Sequence, residues 1–158
     1  KGLEPDECYY ITQEAQVRGK TKFDLYSDPA PDLAIEIDLT SSSLNRLGIY
    51  AALGVREIWR YDGQDLKIYV LVEGDYQQQE RSSILPVLSR PDILLFLNKK
   101  STLGENSLIR EFRQWLHQQG WYSPPTLIAV STEVSIILNA ETPTYQEFFC
   151  VLLDWKLL

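Results

Sequence analysis

The chain reads as an α/β domain: a mixed central sheet with helices packed against it. Three observations predict that class. The stretch Pro31-Asp-Leu-Ala-Ile-Glu-Ile-Asp-Leu-Thr40 alternates aliphatic with other residues at period two, the mark of a strand. Val55–Tyr61 and Leu66–Val72 are apolar runs separated by four residues that include Asp62-Gly63, and they read as a hairpin extending the sheet. Leu108–Gln119 carries Leu108, Ile109, Phe112, Trp115 and Leu116 at helical spacing, opposite Arg110, Glu111, Arg113 and Gln114.

Length and composition bound the possibilities. A chain of 158 residues, 44% hydrophobic and 23% charged, can bury the core of one domain and is not of disordered composition. No apolar run approaches membrane-spanning length and no basic-then-apolar leader opens it, so a soluble cytoplasmic protein with no membrane partner is expected. Fifteen basic residues against 22 acidic ones leave a net charge of −7. That excludes generic coating of nucleic acid, which needs a basic field, but not a local basic patch beside clustered acids. Cys8 and Cys150 belong to no CxxC or Cys/His group and read as buried free thiols. His117, the single histidine, lies on the predicted 108–119 helix, where a surface or capping role outweighs a catalytic one. The chain opens at Lys1 and has no methionine, where about three are usual, so a preceding segment is expected.

In chain order, Pro5–Ile11 is a second strand, with Asp6, Cys8 and Tyr10 on one face. Thr12–Lys22 is polar and reads as a loop bearing Arg18, Lys20 and Lys22. Ser27-Asp-Pro-Ala-Pro31 is a stiff turn into the acidic strand. Ser42 or Ser43 caps a helix running through Leu44, Leu47, Tyr50 and Ala51, and Gly54 stops it. After the hairpin, Glu73-Gly74 turns into a polar strand around Tyr76–Glu80. Ser82–Leu88 and Ile93–Leu97 are short apolar runs separated by Arg90-Pro91-Asp92, and Trp121–Pro125 ends the 108–119 helix. Thr126–Leu138 holds two apolar runs of either type. Thr144-Tyr-Gln-Glu147 is a capping box that opens a last helix through about Leu153.

The strand at 31–40 also carries the chemistry. Leu33, Ile35, Ile37 and Leu39 share one face, while Asp32, Ala34, Glu36 and Asp38 share the other. Three carboxylates opposite an aliphatic face repel one another unless a cation sits among them. Hard divalent cations take carboxylate oxygens, so the functional reading is a Mg²⁺ or Mn²⁺ site; the alternative is a solvated acidic edge. If the strand of Asp6 neighbours that of Glu36, the two could ligate one metal, with Asp32 and Asp38 close by. Each has a plain counterpart: Asp6 a strand-start cap, Glu36 an edge charge, Asp32 the end of a Pro-Asp turn, Arg46 a helix-surface charge. Tyr50 reads as core packing before chemistry, and Trp59 and Tyr61 as sheet core.

The order Pro5-Asp6, then Pro31-Asp-Leu-Ala-Ile-Glu36, then Tyr50-Ala-Ala-Leu-Gly-Val-Arg-Glu-Ile-Trp59 resembles a large family of restriction-endonuclease-like proteins in the PD-(D/E)xK nuclease superfamily. The Tyr76 segment, Leu85-Pro-Val-Leu88 and the helix after Gly104-Glu-Asn106 fit the same layout, so the resemblance spans about 1–118 and leaves 119–158 as a trailing segment. It implies a restriction-endonuclease-like mixed sheet flanked by helices, with the N-terminal part of that core missing from this chain. It implies Asp6 and Glu36 as catalytic metal ligands and DNA as substrate; Asp32 and Asp38 are further candidate ligands from the strand face alone. The motif lysine belongs two residues after Glu36, where Asp38 stands. In this family the cation has moved to the following helix, four residues before the tyrosine, which is Arg46 here. Arginine stabilises charge but stays protonated and is a poor base. Two functions follow: a Mg²⁺-dependent endodeoxyribonuclease, with a homodimer expected if it cuts both strands, or a catalytically degenerate nuclease fold used for binding.

Overall fold

The computed structural model describes residues 5–24, 27–38 and 46–120, and the backbone of 128–130. The expected Ser42/Ser43 cap, the Trp121–Pro125 break and the capping box at Thr144 lie outside the described residues.

The acidic stretch forms β2 (Leu33–Ile37). It pairs antiparallel with β1 (Glu7–Tyr10) and parallel with β3 (Glu57–Tyr61). Parallel neighbours need a crossover, and the 38–56 connection with α2 (Leu47–Leu53) supplies it. Gly54 closes α2 in the left-handed region at φ 81°, as expected of a glycine stop. β3 returns through four residues into β4 (Leu66–Val72), and Glu73-Gly74 turns β4 into β5 (Asp75–Gln79). Both turn residues have positive φ, 51° and 93°, the geometry whose twist suits a two-residue hairpin loop. β6 (Ile128–Val130) pairs antiparallel with β1, placing strand structure in one of the two runs whose type was open. The described sheet is therefore mixed and six-stranded, in the order β5-β4-β3-β2-β1-β6.

Two departures from the expected elements are local. The 12–22 loop contains a single helical turn, α1 (Glu14–Val17). Arg90-Pro91-Asp92 is no break but the first turn of α3 (Arg90–Lys99). Ser89 and Asp92 cap it reciprocally, and proline in a first turn gives up only an amide that the helix leaves unpaired.

The two faces of the sheet differ. Tyr9, Leu33, Ile35, Trp59, Tyr61, Leu66 and Ile68 join Phe96 of α3 and Leu108 and Phe112 of α4 (Glu105–Gln118) in one core. Each large apolar side chain buried there contributes about 1.5–3 kcal/mol. The buried Glu57 carboxylate ties this layer together. It accepts from Trp59 Nε1 at 2.6 Å, from the hydroxyls of Ser82 and Ser83, and from the backbone N–H of Ser83 and Ile84. The other face holds a small cluster, Ala34, Tyr50, Val55 and Ile58, under α2. Among the described residues, no helix is long and apolar enough to cross a membrane.

Candidate functional site

The register of the sheet decides which charged residues meet. Glu7 stands opposite Ile35 in the β1–β2 pair, so one step further Asp6 stands opposite Glu36. Directly opposed side chains on one face lie about 5 Å apart at Cβ. Asp6 Oδ2 accepts the N–H of Ile37 at 2.7 Å, pinning the end of β2 with one carboxylate oxygen. On the other side of β2, Glu36 is the register partner of Arg60 on β3.

Glu36 is buried, at 3% exposure, and is gripped from α2. Arg46 Nη1 donates to Oε2 at 2.9 Å, and the Tyr50 hydroxyl donates to Oε1. Residues four apart lie on one side of a helix, so Arg46 at the α2 cap and Tyr50 one turn on reach the same carboxylate. Burial is the largest influence on the Glu36 carboxyl and raises its pKa. Tyr50 and Arg46 pull it back, while Asp6 and Asp38 push it up again. Burial and the Glu36 charge raise the Tyr50 phenol far above its ordinary value, so it remains a donor. Asp38 accepts from Arg60 through Nε at 3.1 Å and through Nη2. Glu36, Asp38, Arg46, Tyr50 and Arg60 line one small recess, floored by Leu47 and Ile58.

Four of the five expected site residues therefore meet: Asp6, Glu36, Asp38 and Arg46. Asp32 stands apart. It directly precedes β2, four residues and roughly 13 Å from Glu36 at strand spacing. Its carboxylate accepts the backbone N–H groups of Ile11, Thr12 and Gln13, the Thr12 hydroxyl and Arg56. Burial alone would raise its pKa, yet those hydrogen bonds hold it below the ordinary carboxylate value. These bonds tie Asp32 to the backbone that follows β1. Two residues were not read as site residues: Arg60, whose contact with Asp38 depends on a strand pairing, and Tyr50, taken first for packing.

Among the described residues no three His, Cys, Asp or Glu side chains converge as a ready-made metal cage. The donor set nonetheless fits a small hard cation. Mg²⁺ commonly uses one or two carboxylates and fills its octahedron with water and substrate phosphate. Asp6 keeps its second oxygen, and an ionised carboxylate offers about four lone-pair sites, so Glu36 can accept from Tyr50 and Arg46 and still ligate.

With that geometry in place, the comparison is direct. Residues 1–98 match the family model described as Uma2: Putative restriction endonuclease. The chain belongs to this family. The match includes Asp6, Glu36, Asp38, Arg46, Tyr50 and Arg60, and the restriction-endonuclease-like α/β fold is the one the strands display. α4 lies beyond the matched stretch, but its Leu108 and Phe112 pack into the same core. No curated protein and no solved structure matches the chain.

Proposed function

We propose that this restriction-endonuclease-like protein is a divalent-metal-dependent endonuclease that hydrolyses DNA phosphodiester bonds. The supporting observation is the placement of Asp6 and Glu36 opposite each other on adjacent strands, with Arg46 and Tyr50 closing on Glu36. Asp6 and Glu36 would hold Mg²⁺ or Mn²⁺, with Asp38 beside them. A cation bound there polarises the phosphoryl oxygen and makes a bound water more acidic. The chain supplies the rest. Tyr50 fixes the Glu36 rotamer and Arg46 offsets negative charge that builds on the phosphate. Arg46 cannot act as the base, because a guanidinium keeps its proton. Cutting both strands of a duplex would call for two copies of the site, most simply in a two-fold dimer.

A second reading is a nuclease fold that binds without cutting. It is favoured by the ion pairs Arg46–Glu36 and Arg60–Asp38, which neutralise the carboxylates internally, and by a recess whose described lining contains no lysine. Calorimetric titration of Mg²⁺ and Mn²⁺, beside a plasmid-nicking assay, separates the two. Metal binding and nicking by the wild type, both lost in Glu36→Ala, is the expected result. Metal binding without nicking selects the second reading, and no binding by the wild type removes both carboxylates from a metal role.

A further inference from the structure

The carboxylates belong to a longer row. Asp6 stands opposite Glu36, Glu36 is the register partner of Arg60, and Arg60 is the register partner of Lys67 on β4. Four adjacent strands thus present two acids and then two bases, in order, across the face that α2 covers only in part. Three interstrand steps of about 4.8 Å make the row roughly 14 Å long. A DNA strand advances about 3.4 Å of helix axis per phosphate, so a row of that length can meet several of them.

We propose that Arg60 and Lys67 form a DNA-phosphate track leading away from the Asp6–Glu36 pair. The proposal rests on the nuclease reading and extends it to where the substrate lies. The Arg60 side chain is 30% exposed, and Asp38 engages its Nε and Nη2. A guanidinium has five N–H donors, so others remain for an incoming phosphate. Lys67 is exposed, with the Asp62 carboxylate near enough to feel its charge. Asp38 thus holds Arg60 while no polyanion is there. The polarity of the row also gives direction: a phosphate at the acidic end needs a bound metal ion, whereas its neighbours along β3 and β4 meet permanent cations. In a chain of net charge −7, a local cationic row is what contact with a polyanion requires.

The test is the salt dependence of binding to a fluorescent 20-base-pair duplex, with Ca²⁺ replacing Mg²⁺ and plasmid nicking run alongside in Mg²⁺. Arg60→Gln and Lys67→Gln should each lower the slope of log affinity against log salt by about 0.9, the value of one lost phosphate contact, and weaken binding to unrelated duplexes alike. Arg110→Gln removes the same charge from the exposed side of α4, which packs on the opposite face, and should leave the slope unchanged. Lys67 is exposed, so its variant keeps the test valid even if Arg60→Gln unfolds. Wild-type slopes in the folded variants, with nicking intact, overturn the track and spare the nuclease reading. The same loss in Arg110→Gln also overturns it, because charge anywhere would then suffice. A wild type that neither binds nor nicks DNA overturns both.

Discussion

Replacing Asp32 by Asn asks whether this carboxylate serves the fold or the site. Its Oδ2 takes the N–H groups of Ile11 at 2.7 Å and Thr12 at 2.8 Å, with Gln13 more distant at 3.3 Å. Its Oδ1 takes the Thr12 hydroxyl at 2.5 Å and Arg56 at 3.2 Å. A hydrogen bond to a charged group contributes about 1.5–3 kcal/mol and a neutral one about 0.5–1.5. An Asn oxygen in place of Oδ2 keeps the backbone bonds but loses about 1 kcal/mol on each of the two short ones. Its amide group must then face Thr12 and Arg56, but Arg56 is 55% exposed, so that ion pair adds little. The expected loss at pH 7 is about 2–3 kcal/mol. The Asp32 pKa is held below its ordinary 3.8, so this stability is present above that value and disappears as pH falls through the lower folded-state value. Urea unfolding should therefore show a gap between wild type and Asp32→Asn at pH 7 that narrows below about pH 4. Mg²⁺ titration should be unchanged. Equal stability at pH 7, or loss of Mg²⁺ binding without loss of stability, would refute the assignment.

Two further substitutions test the Glu36 environment. The raised pKa of Glu36 means that the fold disfavours its charge, so wild-type stability should fall as pH rises above 4.5. Glu36→Gln should relieve that cost, melting higher than the wild type at neutral pH while abolishing nicking; a lower melting temperature there would contradict it. Tyr50→Phe removes the donor that orients Glu36 but keeps the ring in its cluster, and a ligand's supporting partner typically carries 10–100-fold in metal affinity. Calorimetry would show that loss, and unchanged Mg²⁺ affinity in a folded variant would reduce Tyr50 to packing.

Local pattern made much of this legible. Period-two alternation placed β2 and assigned its faces: Leu33 and Ile35 enter the large core, while Ala34 faces α2. Gly54 and Gly74 take the positive φ that glycine favours, while Glu73 takes it because the two-residue hairpin turn requires it. α3 escaped because Pro91 was weighed as a separator, although Ser89 three residues before Asp92 is a capping signal in its own right. The site was half legible. Glu36 and Asp38 follow from the face of one strand, Asp6 from the pairing expected of its strand, and Arg46 from the family resemblance, whereas Tyr50 reads as packing. Arg60 required knowing that β3 lies parallel beside β2, in the register that sets it against Glu36. The contacts of Asp32 were hidden for the converse reason. Asp32 has the right face, but three amides from beyond β1 converge on it, and nothing local announces them.

The position of the site follows from unequal coverage of the sheet. α3 and α4 pack against one face, where the buried Glu57 carboxylate is fully bonded and Glu7, the register partner of Ile35, has its pKa pushed up to about 7 by burial. On the other face α2 is seven residues long and packs over Ala34 and Ile58, leaving the next positions on β2 and β3, Glu36 and Arg60, at the rim. Charge persists at that rim because two of the carboxylates have cationic partners and Asp6 accepts a backbone N–H. Arg46 and Arg60 take Glu36 and Asp38, whose charges would otherwise crowd each other and Asp6. Under the proposed function the same pairs would limit the chemistry, since a metal ion or a phosphate would have to compete with bonds the fold already makes. That competition predicts opposite signs for the two kinds of variant. Neutralising Glu36 favours the fold and removes function, whereas neutralising Arg46 leaves the buried Glu36 charge uncompensated and costs both.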